Sequence, residues 1–254
     1  MEKIITCGYF EISNQDDIAI VRIKKNVFEF ISDMKQSAEL FDYIDTINES
    51  GQINALLYYN DSDSFSEEEY DKFINMIMVD APARGKSNLP CFTDRNVRSR
   101  EINIMNDLIK RLCGLHVLVV SGIQGTIVTP YIGTAMSADL KYASEDARFS
   151  MAHNKYGLHP SGGLPFFLSG FLHHSKAMEL QFRENYITAQ ETLDLGLINK
   201  ILKKDDFENQ IIEEIHKIIS RIKHCTIQHT KRLTNFNRKS LFDYFDYEAE
   251  ILNL

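Results

Sequence analysis

Short apolar runs, each bounded by polar residues or glycine, indicate β-strands in the first half of the chain. The runs that fit this pattern are residues 9–13, 18–23, 53–59 and 116–120. The polar residues 14–17 predict a turn between the first two strands. The last two runs are apolar almost throughout, as expected for buried strands.

Apolar residues at helical spacing predict helices between and after these strands. The predicted helices of the first half are residues 32–48, 67–78 and 101–113. Residues 81–96 contain two of the five prolines together with Gly85, which predicts a loop. After Phe167 the predicted helices are residues 176–182, 189–195, 207–222 and 230–254. The alternation of strands and helices is typical of an α/β fold with parallel crossovers.

The composition fits one α/β domain or two small ones, since 44% of the 254 residues are hydrophobic and 25% are charged. A net charge of -8 argues against a general surface for nucleic acid or anionic membranes. No window approaches the roughly 18 consecutive apolar residues of a membrane helix, and the first residues lack the apolar region of a signal peptide. The four cysteines form no C-x-x-C pair, which favours reduced thiols. We therefore expect a cytoplasmic protein without nucleic-acid or membrane partners.

The second half of the chain contains small residues at fixed mutual spacing. Gly125 lies fourteen residues before Asp139. Further positions in the same frame are Ala143, residues 147–149, Gly157, Leu158, Pro160, Gly162, Gly163 and residues 196–199. Over residues 121–202 this pattern resembles the core of the crotonase superfamily, also called the enoyl-CoA hydratase/isomerase superfamily. Before residue 121 the resemblance is limited to the order of strands and helices.

The resemblance implies a crotonase-like (ClpP/crotonase) α/β fold, in which repeated ββα units form a spiral. It implies that residues 1–200 form this spiral core. It also implies that residues 201–254 form a helical C-terminal region used in oligomerisation, shorter than is usual for the family. Because members of the family assemble as trimers or as dimers of trimers, a homotrimer or hexamer is expected.

Members of this family bind an acyl-CoA thioester and stabilise an enolate oxyanion with two backbone N–H groups. The resemblance places the first donor at Glu67 and the second at Pro130, which has no N–H. Either the second donor is missing, or a local shift lets Tyr131 supply it. Pro130 is also well suited to begin a helix. Around Glu67, the spacing of Ser66 and Glu69 predicts a capping box, which favours a solvated helix start.

The resemblance assigns the two usual catalytic glutamates to Gly133 and His153. Gly133 has no side chain for proton transfer. Histidine can act as a general acid or base near neutral pH, but a histidine on such a turn can equally be a hydrogen-bonded structural residue. Thr129, His159 and Ser161 are further candidates to line the same cavity. The resemblance implies no metal and no cofactor, with acyl-CoA as the substrate.

The residues and the resemblance leave two functions open. The first is a divergent enoyl-CoA hydratase/isomerase-family enzyme, a lyase or isomerase that acts on an acyl-CoA or carrier-bound acyl thioester through an enolate-type intermediate. The absence of both glutamates argues against ordinary hydratase activity. The second is a non-catalytic thioester-binding or structural subunit with the same fold. Neither the acyl group nor the reaction is specified by the sequence.

Overall fold

A central sheet organises the computed structural model, which describes residues 2–25, 27–30, 34–78 and 95–251. The strands in these ranges are β1 (Glu2–Thr6), β2 (Phe10–Gln15), β3 (Ile18–Ile23), β4 (Ala55–Asn60), β5 (Leu118–Ile123), β6 (Thr126–Val128), β7 (Leu140–Ser144), β8 (Arg148–Ser150), β9 (Ile187–Thr188) and β10 (Lys200–Leu202). The α-helices in the same ranges are α1 (Val27–Phe30), α2 (Met34–Ser50), α3 (Glu67–Ile77), α4 (Arg95–Gly114), α5 (Tyr131–Met136), α6 (Leu164–Phe171), α7 (His174–Gln181), α8 (Ala189–Asp194), α9 (Phe207–Ile219), α10 (His224–Thr234) and α11 (Arg238–Ile251). A short 3₁₀ helix, Ala152–Tyr156, follows β8.

The larger sheet of the described residues has seven strands in the order β1-β2-β3-β4-β5-β7-β10. The first three strands pair antiparallel, whereas the pairs from β3 to β10 are parallel. Parallel neighbours need crossover connections, and helices make most of them. β6, β8 and β9 form a second sheet, in which Val128 lies opposite Ser150. The α/β fold with parallel crossovers is therefore confirmed.

The central strands are buried on both faces because helices cover the sheet from both sides. Successive side chains of a strand point to opposite faces. Leu56 and Tyr58 of β4 accordingly belong to one apolar cluster. Leu57 and Tyr59 belong to the other, together with Ile211 of α9. Two-sided burial explains why β4 and β5 are apolar almost throughout instead of alternating with polar residues.

The strands predicted from apolar runs are confirmed as β2, β3, β4 and β5, with ends shifted by a few residues. The predicted turn at residues 14–17 is too long, because Asn14 and Gln15 belong to β2 and pair with Ala19 and Ile18 of β3. The chain reverses over Asp16 and Asp17, and Asp16 adopts a positive φ of 53°. Aspartate tolerates this left-handed conformation better than most residues do.

Two helix predictions are wrong at their ends. α4 begins at Arg95, so residues 95 and 96 are helical although a loop was predicted over residues 81–96. The rest of that loop, residues 81–94, lies outside the described residues. The single helix predicted over residues 230–254 is instead the end of α10 followed by α11. Asn235 ends α10, and short polar side chains of this kind compete with helical hydrogen bonds.

Three helices follow the last strand and close the described part of the chain. β10 runs from Lys200 to Leu202 and pairs with β7, and α9, α10 and α11 come after it. The division of the chain at residue 200 stays a prediction. Among the described helices, none has both the length and the apolar character that crossing a bilayer requires.

Candidate active site

The start of α3 presents Glu67 as the first helical residue. Ser66 caps the helix, because its side-chain oxygen accepts a hydrogen bond from the Glu69 N–H at 3.3 Å. The Glu69 carboxylate binds Lys72 at 2.8 Å instead of returning to Ser66, so only half of the predicted capping box forms. The N–H groups of a first helical turn have no partner within the helix. The N–H of Glu67 has none elsewhere among the described residues.

The start of α5 presents Tyr131 in the same way. Pro130 precedes the first helical residue, after a cis Thr129–Pro130 peptide bond. Its carbonyl accepts a hydrogen bond from the Gly133 N–H at 3.0 Å. The N–H of Tyr131 has no hydrogen-bond partner among the residues that the structure describes. Pro130 thus precedes the helix as its N-cap residue, one position before the N1 position at which proline is favoured.

The two helix starts are neighbours, because the residues beside them stack. The rings of Phe65 and Tyr131 lie nearly parallel, at 10°, with centroids 3.6 Å apart. Phe65 is two residues before Glu67, so the stack fixes the loop that leads into α3 against the start of α5. The Tyr131 hydroxyl is buried without a partner among the described side chains and backbone. Burial raises the pKa of this hydroxyl well above its ordinary value.

His153 joins the same site through a chain of hydrogen bonds. The residue is 1% exposed and lies in the 3₁₀ helix after β8. Its Nδ1 is 3.0 Å from the Thr129 hydroxyl, and the Thr129 N–H donates to the Ser150 carbonyl at 3.3 Å. The Ser150 hydroxyl donates to the Glu67 carboxylate. The pairing of β6 with β8 therefore brings Glu67, Pro130, Tyr131 and His153 together.

The electrostatic surroundings keep the His153 imidazole neutral. Burial, followed by the charges of Arg98 and His159, lowers the pKa of His153 from 6.5 to about 4. The neutral ring can accept a proton or a hydrogen bond. The imidazolium is disfavoured, because a buried cation near the Arg98 guanidinium is poorly stabilised. His159 is exposed and Ser161 is buried, and of the additional candidates only Thr129 contacts the His153 ring.

A buried ion pair beside His153 was missed by the sequence analysis. Arg98 and Glu101 of α4 pair through Nη1 and Oε2, and both side chains are almost fully buried. Burial raises the pKa of Glu101, and the charge of Arg98 opposes this rise. The i, i+3 spacing of opposite charges could have revealed the pair. It was overlooked because Arg98 fell outside the predicted helix.

Backbone atoms of Gly162 occupy the space in which a side chain at position 133 would lie. A Cβ atom at position 133 would lie 1.9 Å from the carbonyl oxygen of Gly162. Gly162 has a φ of 70°, and a Cβ atom there would lie 2.7 Å from the carbonyl oxygen of Pro130. The next N–H, of Gly163, donates to the Glu248 carboxylate of α11 at 3.2 Å. The turn at residues 162 and 163 is therefore held between α5 and α11, and it excludes any side chain at position 133.

Potential metal ligands are dispersed in the described part of the chain. Cys7, Cys113 and Cys225 are free thiols. Within the described ranges, no group of three or more His, Cys, Asp or Glu side chains is placed to hold a metal ion.

The sequence itself identifies the family. The family model for enoyl-CoA hydratase/isomerase matches residues 98–253, more than half of the chain. This chain belongs to the enoyl-CoA hydratase/isomerase family. A short-chain-enoyl-CoA hydratase of Clostridium acetobutylicum is 27% identical over 69% of this chain and 70% of that protein. A trans-2-decenoyl-[acyl-carrier-protein] isomerase of Streptococcus mutans is 25% identical over 52% of this chain and 51% of its own length.

Several solved structures share the fold of this chain. An enoyl-CoA hydratase from Bacillus halodurans superposes with a TM-score of 0.78 at 18% identity, over 96% of this chain and 94% of the other. HypX from Aquifex aeolicus superposes with a TM-score of 0.76 at 18% identity, over 99% of this chain and 43% of HypX. The expected crotonase-like α/β fold is confirmed.

Proposed function

We propose that this member of the family binds an acyl thioester, carried by CoA or by a carrier protein, and stabilises its enolate. The observation that carries the proposal is the pair of N–H groups of Glu67 and Tyr131, which have no hydrogen-bond partner among the described residues and lie at the starts of two neighbouring helices. N–H groups fixed in this way stabilise an oxyanion where charge develops, and each contributes about 10²–10³ in rate. The partial positive charge at a helix N-terminus adds to their effect.

In this proposal the Tyr131 N–H is the second donor to the oxyanion, a role that the resemblance assigns to Pro130. Proline has no N–H to donate, and the Pro130 carbonyl is engaged with the Gly133 N–H inside the first turn of α5. The donor is therefore moved by one residue along the chain. The stacking of Phe65 on Tyr131 supports this arrangement, because it holds the shifted donor against the loop that leads to Glu67.

His153 is the proton-transfer group in this proposal. By the resemblance, Gly133 and His153 occupy the positions of the two glutamates, and of these only His153 has a titratable side chain. A single neutral base can remove a proton from the carbon next to the thioester carbonyl and return it elsewhere, whereas hydration also needs a group that activates water. We therefore favour proton transfer or isomerisation over hydration.

A non-catalytic thioester-binding subunit is the second candidate. The state of His153 favours it, because a buried ring that is hydrogen-bonded to Thr129 and has a pKa of about 4 also fits a purely structural histidine. Both candidates require thioester binding, and they differ in whether a proton moves.

Exchange of deuterium into a bound acyl thioester distinguishes the two candidates. Calorimetry first measures binding of butyryl-CoA and of a butyryl carrier protein, and NMR in D₂O then follows exchange at the carbon next to the carbonyl. We expect His153→Gln, which retains a hydrogen-bonding side chain, to bind like the wild type and to lose at least ~10²-fold in exchange rate. His173→Gln, at an exposed histidine, is the matched control and should exchange normally.

The outcomes of this experiment are separable. Binding without exchange in the wild type would support the non-catalytic subunit. If neither thioester binds, both candidates are wrong.

We also propose assembly as a homotrimer or hexamer. Phe236, Phe242 and Tyr247 are exposed aromatic residues in and before α11, and exposed aromatic groups of this kind are common at protein interfaces. Light scattering of the purified protein measures its mass directly, and a monomer would contradict the proposal.

A further inference from the structure

A cavity lies away from the candidate active site. It is bounded by the end of α5, by α6 and by α9, α10 and α11, and its volume is about 560 Å³. None of Glu67, Pro130, Tyr131 and His153 lines it. Most of its wall is apolar, with contributions from Leu118, Met136, Phe167, Ile222, Ile227 and Leu241. Apolar cavities of roughly 300–1,000 Å³ with a few polar groups are typical of small-molecule sites.

One charged group in this wall lacks an ionic partner. Lys141 of β7 is 6% exposed, and its ammonium lies 3.4 Å from the Ala138 carbonyl and 4.9 Å from the centre of the Phe171 ring. No salt bridge joins Lys141 to a described carboxylate. A buried ammonium without a counterion reduces the stability of the folded protein, because the charge has lost its hydration. Burial also lowers the pKa of Lys141, although the Asp139 charge opposes this.

The nearest carboxylate is already engaged. Asp139 also borders the cavity, but one of its oxygens lies 2.5 Å from the Lys231 ammonium. The same oxygen accepts a hydrogen bond from the Val119 N–H at 2.8 Å. Asp139 is therefore held toward α10 and β5, and its charge acts on Lys141 without a salt bridge between the two.

The backbone of Lys141 is fixed on both sides, which holds its side chain at the cavity. The Lys141 N–H donates to the Asn199 side-chain oxygen at 2.8 Å, and the Asn199 N–H donates to the Lys141 carbonyl at 2.8 Å. Pairing of β7 with both β5 and β10 adds to this restraint. A fixed cation at the edge of an apolar space is complementary to a ligand with one anionic end and an aliphatic remainder.

We propose that this cavity binds an aliphatic monocarboxylate, with its carboxylate on Lys141 and its chain along the apolar wall. The carboxylate supplies the counterion that Lys141 lacks. The aliphatic chain of the ligand removes apolar surface of the cavity from water. This burial favours binding by about 25 cal/mol for each Å² of apolar surface. A dianionic phosphate fits less well, because Asp139 borders the cavity and most of the wall is apolar.

Titration of the full chain with decanoate tests the proposal, and 1-decanol serves as the uncharged ligand of equal length. Calorimetry should detect decanoate binding to the wild type. Because a hydrogen bond to a charged group contributes about 1.5–3 kcal/mol, Lys141→Met should weaken decanoate by roughly ten- to hundred-fold. The same variant should bind 1-decanol as the wild type does, and Lys141→Arg should keep most of the decanoate affinity.

Two controls keep the result interpretable. Lys217→Met removes an exposed ammonium of α9 and should leave decanoate binding unchanged. The thermal midpoint of Lys141→Met should equal or exceed that of the wild type, because a buried unpaired charge has been removed.

Several outcomes would overturn the proposal. These are no decanoate binding to the wild type, equal affinity of Lys141→Met, and displacement of decanoate by butyryl-CoA, which would place it in the thioester site. If light scattering shows an assembly that does not bind decanoate, a second copy of the chain covers the cavity and the proposal fails. None of these results bears on thioester binding, which is measured separately.

Discussion

At the scale of single residues, the site depends on His153 in its neutral form. The ring is buried, and its hydrogen bond to Thr129 satisfies Nδ1 in either tautomer, because a hydroxyl can donate or accept. The nearby Arg98 makes the protonated ring unfavourable. In the proposed reaction, the surroundings that keep the ring neutral also limit its strength as a base. Turnover would therefore depend on the N–H groups that we propose stabilise the enolate.

The low pKa of His153 predicts how stability depends on pH. In the unfolded chain the ring has a pKa near 6.5, whereas in the folded protein it is about 4. Between these values the unfolded state binds more protons, so stability is complete above about pH 6.5 and falls as the pH decreases toward 4. Urea titrations should show that His153→Gln loses about 2 kcal/mol less than the wild type between pH 7 and pH 5. Parallel pH profiles of the two proteins would contradict the shift.

At the scale of elements, α11 is tied to the candidate site by one carboxylate. Glu248 is buried, and it accepts hydrogen bonds from the Gly163 N–H at 3.2 Å and from the Asn106 side chain at 3.1 Å. Burial raises the pKa of Glu248, while these donors act in the opposite direction. The last described helix therefore supports the turn that packs on Pro130.

Glu248→Ala should therefore destabilise the protein by about 3 kcal/mol, because it leaves the Gly163 N–H and the Asn106 amide buried without an acceptor. Urea denaturation measures the change. Glu250→Ala, at an exposed position on the same helix, is the matched control and should change stability by less than about 0.5 kcal/mol. Equal effects of the two substitutions would show that the contact of α11 with the turn is unimportant.

The elements also show what the sequence can and cannot predict. The apolar stripe with Ile102, Met105 and Ile109 predicted the middle of α4, because it faces the core. The first turns of α4 were missed because their polar residues give no stripe, and Arg98 is buried only through its pairing with Glu101. β6 and β8 have three residues each, which is too few to show the alternation of apolar and polar positions that predicts a strand. Their pairing, which brings Thr129 to His153, is set by tertiary contacts.

At the scale of the whole molecule, the C-terminal helices are attached to the sheet by an ion pair. Lys231 of α10 binds the Asp139 carboxylate at 2.5 Å and the Val117 carbonyl at 2.9 Å. Asp139, at the start of β7, also accepts from the N–H of Val119 in β5. Gly125 and Asp139 were the residues that first indicated the family, and the second of them proves to be a structural anchor.

Removing one partner of this anchor should be more harmful than removing both. Lys231→Met leaves the Asp139 carboxylate without its counterion, which should cost roughly 2–3 kcal/mol for this largely buried pair. The double variant Lys231→Met/Asp139→Asn should recover part of the loss, because no isolated charge remains. Thermal and urea unfolding of the three proteins form the comparison. If the double variant is less stable than Lys231→Met, the pair is not the origin of the effect.

The close approach of Gly133 to Gly162 limits which substitutions the protein can accept at position 133. A glutamate at position 133 would clash with the Gly162 backbone, so we expect this substitution to destabilise the protein. The turn at Gly162 would have to move first. This movement would disturb the hydrogen bond from the Gly163 N–H to the Glu248 carboxylate of α11. A carboxylate at position 133 therefore requires a compensating change in this turn.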